Sequence, residues 1–108
     1  MQRQVLSDEL TTSGQISLDD LQQLHADGIK TIICNRYDHE DPNQPDFETI
    51  AAAAKALGME AHLMPVASGN VTKKDGEQFG ELLTKVQKPV HAYCRSGTRC
   101  NILWTLSN

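Results

Sequence analysis

Near the end of the chain, Pro89 to Cys100 reads PVHAYCRSGTRC. A thiol, Cys94, and a guanidinium, Arg99, bracket a loop of small and hydroxyl-bearing residues, with a second cation in Arg95. Cysteine reacts as its thiolate, and its pKa falls from about 8.5 to about 3.5–7.5 beside helix N-termini or cations. Arg99 carries a planar fork of N–H donors that matches two oxygens of a tetrahedral anion. Gly97 permits the tight backbone that turns N–H groups inward. This combination predicts nucleophilic attack by Cys94 on an anionic centre. Arg99 would hold the oxyanion, and Arg95, Ser96, Gly97, Thr98 and Cys100 would form the substrate-binding loop. A cysteine after an apolar strand is more often a small core residue, but here strand end, glycine, arginine and helix start coincide.

The elements that place this loop follow from period and punctuation. A short extended piece covers Leu10 to Ser13. Ser17 and Asp20 form a capping-box start to a helix with Leu18, Leu21 and Leu24 on one face, closed by Gly28. IKTIIC reads as a buried strand ending at Cys34, and NRYDHEDPNQPD as loop. FETIAAAAKALG is a second helix, EAHLM a strand stopped by Pro65, and PVASGN a small-residue loop. Thr72 caps a helix whose Phe79, Leu82, Leu83 and Val86 fall on one face. KPVHAY is the next strand, and RCNILWTL begins a last helix with an exposed Trp104 and Leu106 as its apolar positions. Strands alternating with helices predict an α/β fold: a single three-layer domain with a mostly parallel central sheet flanked by helices. The loop then lies at the carboxyl end of a central strand, where open sheets bind ligands. Successive N–H groups and the helix dipole favour an anion there without a basic patch.

Composition bounds the rest. A chain of 108 residues, 39% hydrophobic, builds one core. A net charge of −4, with no basic block, argues against nucleic acid. No run of about 18 apolar residues or signal peptide is found, so a soluble, cytoplasmic protein is expected. The last helix is short for its role, and the chain reads as truncated at its C-terminus or cut from a longer protein. Three irregularly spaced cysteines fit neither a disulfide framework nor a zinc site. Cys34 reads as core, although a strand-end thiol could also trap an oxidised Cys94. His91 reads as a buried structural histidine, with orientation of the loop as the alternative. His39, Glu40 and Asp41 have the composition of a metal cluster but the setting of a solvated loop. Arg36 reads equally as surface charge or as a contact for a substrate anion.

Taken with TTSGQIS, GIKTIICNR and MPV, the segment AYCRSGTR resembles the phosphatase-like domain of the β-lactamase hydrolase-like proteins, relatives of the dual-specificity phosphatases. The resemblance covers nearly the whole chain. It implies a cysteine phosphatase-like fold, a Cys94 nucleophile that attacks phosphate monoesters, and an oxyanion-binding Arg99, with no metal or cofactor. Cys100 stands where many phosphatases place Ser or Thr to stabilise the thiolate; a resolving thiol, or a small residue in a first helical turn, are its other readings.

Three departures separate this chain from that pattern. Such phosphatases usually have five residues between cysteine and arginine, and CRSGTR has four. They usually carry histidine before the cysteine, where this chain has Tyr93. Their general acid is an aspartate after the preceding strand, and here MPVASGNVT offers Ser68; loss of a general acid typically removes about 10²–10⁴ in rate. Asp75 is the nearest substitute acid. CRSGTR is also similar to the active loop of rhodanese sulfurtransferases, whose cysteine carries a persulfide. Sulfur transfer from a donor with a good leaving group, such as sulfite, needs no acid. The expected partner is therefore a small anionic substrate, a phosphate ester or a sulfane sulfur donor, with a sulfur-metabolism enzyme as fused or associated neighbour. A non-catalytic anion-binding module is the third reading.

Overall fold

The computed structural model describes residues 1–107. Strands β1 (Gln4–Ser7) and β2 (Leu10–Ser13) form a hairpin, followed by α1 (Leu18–Ala26), β3 (Thr31–Cys34), α2 (Phe47–Ala56), β4 (Glu60–Leu63), α3 (Lys73–Lys85), β5 (Val90–Tyr93) and α4 (Thr98–Leu106). The sheet runs β1-β2-β5-β3-β4, parallel throughout except for β1 against β2. The expected mostly parallel sheet is therefore present, with β1 as an edge that the sequence reading did not identify.

Side-chain alternation divides the core in two. Ile32, Cys34 and Tyr93 face a cluster built with Leu21 and Leu24 of α1 and Ile50 and Ala54 of α2. Ile33, Val90, Ala92 and Leu10 face a second cluster with Phe79 of α3 and Cys100 and Leu103 of α4. Strands β3 and β5 are buried along their whole length because helices cover both faces. Each fully buried large apolar side chain contributes roughly 1.5–3 kcal/mol. Among the described residues no helix is long and apolar enough to cross a membrane.

The helix ends follow the local chemistry. Ser17 and Asp20 close a capping box on α1, and Thr72 and Asp75 close another on α3. Helix α4 corrects one expectation: Cys100 and Leu103 are its fully buried residues, while Trp104 and Leu106 are half-buried. The reason lies on α3. A Cβ at Gly76 would collide with Leu106, so only glycine lets the two helices approach there. Phe79, one turn on, is fully buried behind that contact.

Candidate functional site

Strand β5 lies between β2 and β3, both parallel to it, so the Cys94–Arg99 loop leaves the middle of the sheet's carboxyl edge. Gly97 is the N-cap of α4 and sits at φ +92°, a left-handed conformation that side chains rarely adopt. The turn is held from the side by the end of β2. The Cys94 N–H donates to the Ser13 carbonyl at 3.3 Å and the Gln15 N–H to the Arg95 carbonyl at 3.3 Å. A Cβ at Gly14 would stand 2.7 Å from that Arg95 oxygen, so the two backbones touch only because Gly14 has none.

His91 braces this contact. Its Nδ1 lies 2.8 Å from the Thr11 hydroxyl and its Nε2 2.8 Å from the Ser13 hydroxyl, which itself donates to the Gly14 carbonyl at 2.8 Å. That chain is satisfied when Nε2 carries the proton and Nδ1 accepts from Thr11. Burial pushes the imidazole down to about 3, so it stays neutral. His91 is thus both buried and tied, through Ser13, to the loop.

Cys94 is fully buried, with the Gly97 N–H 3.1 Å from its sulfur. Its pKa is lowered to about 5, first by a hydrogen bond from the Cys100 thiol. Burial opposes the shift, and the N–H groups of Cys100, Ser96 and Gly97 add to it. The thiolate expected from sequence is favoured, chiefly by the Cys100 thiol and the loop N–H groups, while Arg99 is paired with Glu40. Cys100 is itself fully buried, and burial pushes its thiol well above the usual range, reinforced by hydrogen bonding to Cys94 and by its charge. Cys100, grouped by sequence with the substrate-binding residues, lies in the same buried cluster as Cys94.

Arg99 is 5% exposed, and a carboxylate that the sequence reading assigned to solvent occupies part of its fork. Its Nη1 donates to Glu40 Oε2 at 2.8 Å and to the Val66 carbonyl at 3.0 Å, and its Nη2 donates to Glu40 Oε1 at 2.8 Å. That pair, opposed by burial and helped by the Tyr37 N–H and Arg36, pulls the Glu40 carboxyl down to about 2. Nε and the outer Nη2 proton form the other edge of the guanidinium, and among the described residues neither has a recorded acceptor. This second edge is distinct from the edge Glu40 holds.

Arg36 is not surface charge. It is 1% exposed and donates to Glu40 at 3.0 Å, to Gln15 at 3.0 Å and to Asp41 at 2.8 Å. Asp41 also lies 3.2 Å from Arg95 Nε. The Glu40–Asp41 pair reaches three guanidiniums from a loop that stays largely exposed, so the solvated setting expected of it also carries ion pairs the sequence reading did not foresee; among the described residues no cluster fit for a metal ion is found. His39 stays exposed on the turn. Glu40, Asp41, Gln15 and Ser13 are the site residues that the sequence reading missed. A signal existed, because the acid-rich segment follows β3, the strand beside β5.

Arg95, Ser96, Thr98 and Arg99 line a recess of about 390 Å³ completed by Ser68, Gly69 and Ile102. Its lining includes no carboxylic acid. Ser68 stands at its rim, and Asp75 is engaged with Thr72 in the α3 capping box. The Ser96 hydroxyl donates to Thr98 Oγ1 at 3.0 Å, stiffening the outer side of the loop. Arg95, largely exposed, also borders polar recesses of about 580 Å³ toward Gln2, Gln4 and Gln15 and about 340 Å³ toward Asn43 and Gln44. Cys34 is separate from these: it belongs to the other core cluster, and its S–H donates to the Arg36 carbonyl at 3.4 Å.

Residues 2–108 match the family model described as "Beta-lactamase hydrolase-like protein, phosphatase-like domain". The chain is 36% identical over 101 residues to a β-lactamase hydrolase-like protein of Agrobacterium fabrum and 32% identical over 102 residues to one of Xylella fastidiosa. Each alignment covers 94% of this chain but only 23% and 24% of those relatives, so the chain spans about a quarter of their length. A crystal structure of a candidate phosphatase from Neisseria meningitidis superposes with a TM-score of 0.87 at 42% identity, covering 93% of this chain and 71% of that one. The catalytic core of a PP-IP phosphatase from Saccharomyces cerevisiae, solved with citrate, shares the fold at a TM-score of 0.73 and 18% identity, over 94% of this chain and 60% of that one.

Proposed function

This chain belongs to the phosphatase-like domain family of the β-lactamase hydrolase-like proteins, and we propose that within it Cys94 is a thiolate nucleophile that takes a sulfane sulfur from a small anionic donor. The observation that carries this reading is the recess at the loop, whose lining offers cations, hydroxyls and N–H groups but no acid. Glu40 does not supply one, because Arg99 holds it ionised at any ordinary pH. A donor such as thiosulfate needs none. The thiolate attacks the outer sulfur, the S–S bond breaks, and sulfite departs with the electron pair and without a proton. The residues divide the work. The loop N–H groups and Cys100 keep Cys94 ionised, the outer edge of Arg99 and the Arg95 side chain attract the anion, and Gly97 keeps the backbone turned toward it.

Phosphate monoester hydrolysis is the second reading, supported by the family and by the fork edge of Arg99. It is restricted to good leaving groups, because an alkoxide departing without a proton forgoes about 10²–10⁴ in rate. A side-by-side assay with thiosulfate plus a thiol acceptor, aryl phosphates of graded leaving-group pKa and Cys94→Ser as control separates the two. Sulfite release that depends on Cys94, with steep leaving-group dependence or no turnover on phosphates, supports sulfur transfer. Efficient hydrolysis of alkyl phosphates with a bell-shaped pH profile overturns it. Ser68→Asp sharpens the result: it should speed poor phosphate leaving groups and leave sulfur transfer unchanged or slower. Turnover of neither substrate leaves the anion-binding module.

A further inference from the structure

Cys100 has a chemical capacity beyond keeping Cys94 ionised. The two cysteines flank the loop and belong to the same buried cluster between the sheet and α3 and α4, close enough for the Cys100 thiol to lower the Cys94 pKa. Both side chains are buried, but the Gly97 N–H points at the Cys94 sulfur and favours its thiolate while Cys100 stays protonated, so a donor loads Cys94 and not Cys100. Cys34, the third thiol, is committed to the Arg36 carbonyl in the other cluster. Resting on the sulfur-transfer reading, we propose that Cys100 is a built-in resolving thiol, which discharges the Cys94 persulfide within the chain and releases its outer sulfur as sulfide.

The step balances without an added oxidant. After loading, Cys94 carries S–SH. The Cys100 sulfur attacks the Cys94 sulfur, a Cys94–Cys100 bond forms, and the bond to the outer sulfur breaks. The outer sulfur leaves with the electron pair and takes the Cys100 proton. The outer sulfur goes from −1 to −2 and the Cys100 sulfur from −2 to −1, while the Cys94 sulfur stays at −1. Loading removes the negative charge that Cys94 sulfur itself carried, which is one of the causes holding Cys100 protonated. A dithiol reductant then restores both thiols, and the net activity is donor reduction to sulfite and sulfide.

Cys100→Ser isolates this role, because a hydroxyl still donates to Cys94 but cannot form a disulfide. The reduced chain is mixed with thiosulfate, with no thiol added, and followed by intact mass and by a sulfide probe. The wild type should release about one sulfide per chain and lose two hydrogens in mass. Cys100→Ser should gain one sulfur, keep it and release no sulfide, while Cys34→Ala should behave as wild type. A wild-type chain that keeps a stable added sulfur and releases no sulfide overturns the proposal and leaves sulfur transfer standing. Sulfide release from Cys100→Ser at the wild-type rate overturns it as well. No sulfur uptake by either protein overturns both readings.

Discussion

Two strand-to-helix connections meet at the carboxyl edge of the sheet, and they are built on opposite principles. The turn after β5 is short, pinned by glycines, and directs N–H groups at one sulfur. The connection after β3, Asn35 to Asp46, is long and polar, and it works through side chains. Buried Arg36 gathers Glu40 and Asp41, which in turn hold Arg99 and Arg95. One region lowers the pKa of a thiol and the other aims the cations. A backbone cradle is fixed locally by φ and ψ, whereas a guanidinium on a flexible stem needs an external carboxylate to fix its direction.

The comparison breaks most sharply at Gly97. Gly97→Ala places a Cβ at φ +92°, about 3.3 Å from the Ser13 carbonyl carbon. The left-handed backbone alone costs roughly 1–2 kcal/mol, but misdirected N–H groups should lower turnover about 100-fold. Steady-state rates beside a thermal melt test this; an unchanged rate would show that the backbone cradle is not what activates Cys94.

Glu40→Gln probes the other connection. It keeps the shape and removes the charge that pairs with Arg99 and Arg36, so stability should fall by about 1.5–3 kcal/mol, read as a lower urea midpoint. Turnover should fall about 10-fold, mostly in KM, as Arg99 loses its direction. Faster turnover would recast the carboxylate as a brake on the site.

The pH dependence of Cys94 separates the sulfur from its surroundings. Alkylation by iodoacetamide should reach half its maximal rate near pH 5, and Cys100→Ala should move that midpoint upward. Because the folded pKa is depressed, the unfolded chain binds the proton first as pH falls. The stabilisation from this thiolate is complete above about pH 9 and is lost on descending toward about pH 5, so the difference between wild type and Cys94→Ser should shrink over that window.

His91 should have the smallest effect at neutral pH, where it is neutral both folded and unfolded. Below pH 6.5 the unfolded imidazole protonates while the folded one resists until about pH 3. Stability is therefore full above 6.5 and declines through that window, a slope that His91→Gln should flatten in acid denaturation. An equal slope in the variant would place the acid sensitivity elsewhere.

The legible parts of this molecule are those fixed by neighbours in the chain. Ser17 with Asp20 and Thr72 with Asp75 announce their helices because capping is a contact across three residues. The apolar IKTIIC and PVHAY runs announce buried strands because both faces of the sheet are covered. Strand β1 was missed because its residues are largely exposed at an edge, where no periodicity is demanded. Helix α4 was misread because the face it buries depends on Gly76 of α3, which lies 30 positions from Leu106.

By itself the sequence determined the order of elements from β2 onward, the turn at Gly97 and the identity of the thiol at its start, since each depends on local backbone preference and side-chain chemistry. Only the tertiary structure decided how charge is distributed around that thiol. Glu40 meets Arg99 across 59 positions, and Arg36 is buried with Gln15 across 21. Such pairs form where β3, β5 and the end of β2 come side by side, and no spacing along the chain encodes that adjacency. The partnership of Cys94 and Cys100 combines both: the spacing is written in the sequence, but it takes the packed start of α4 to bury the two side chains in one cluster.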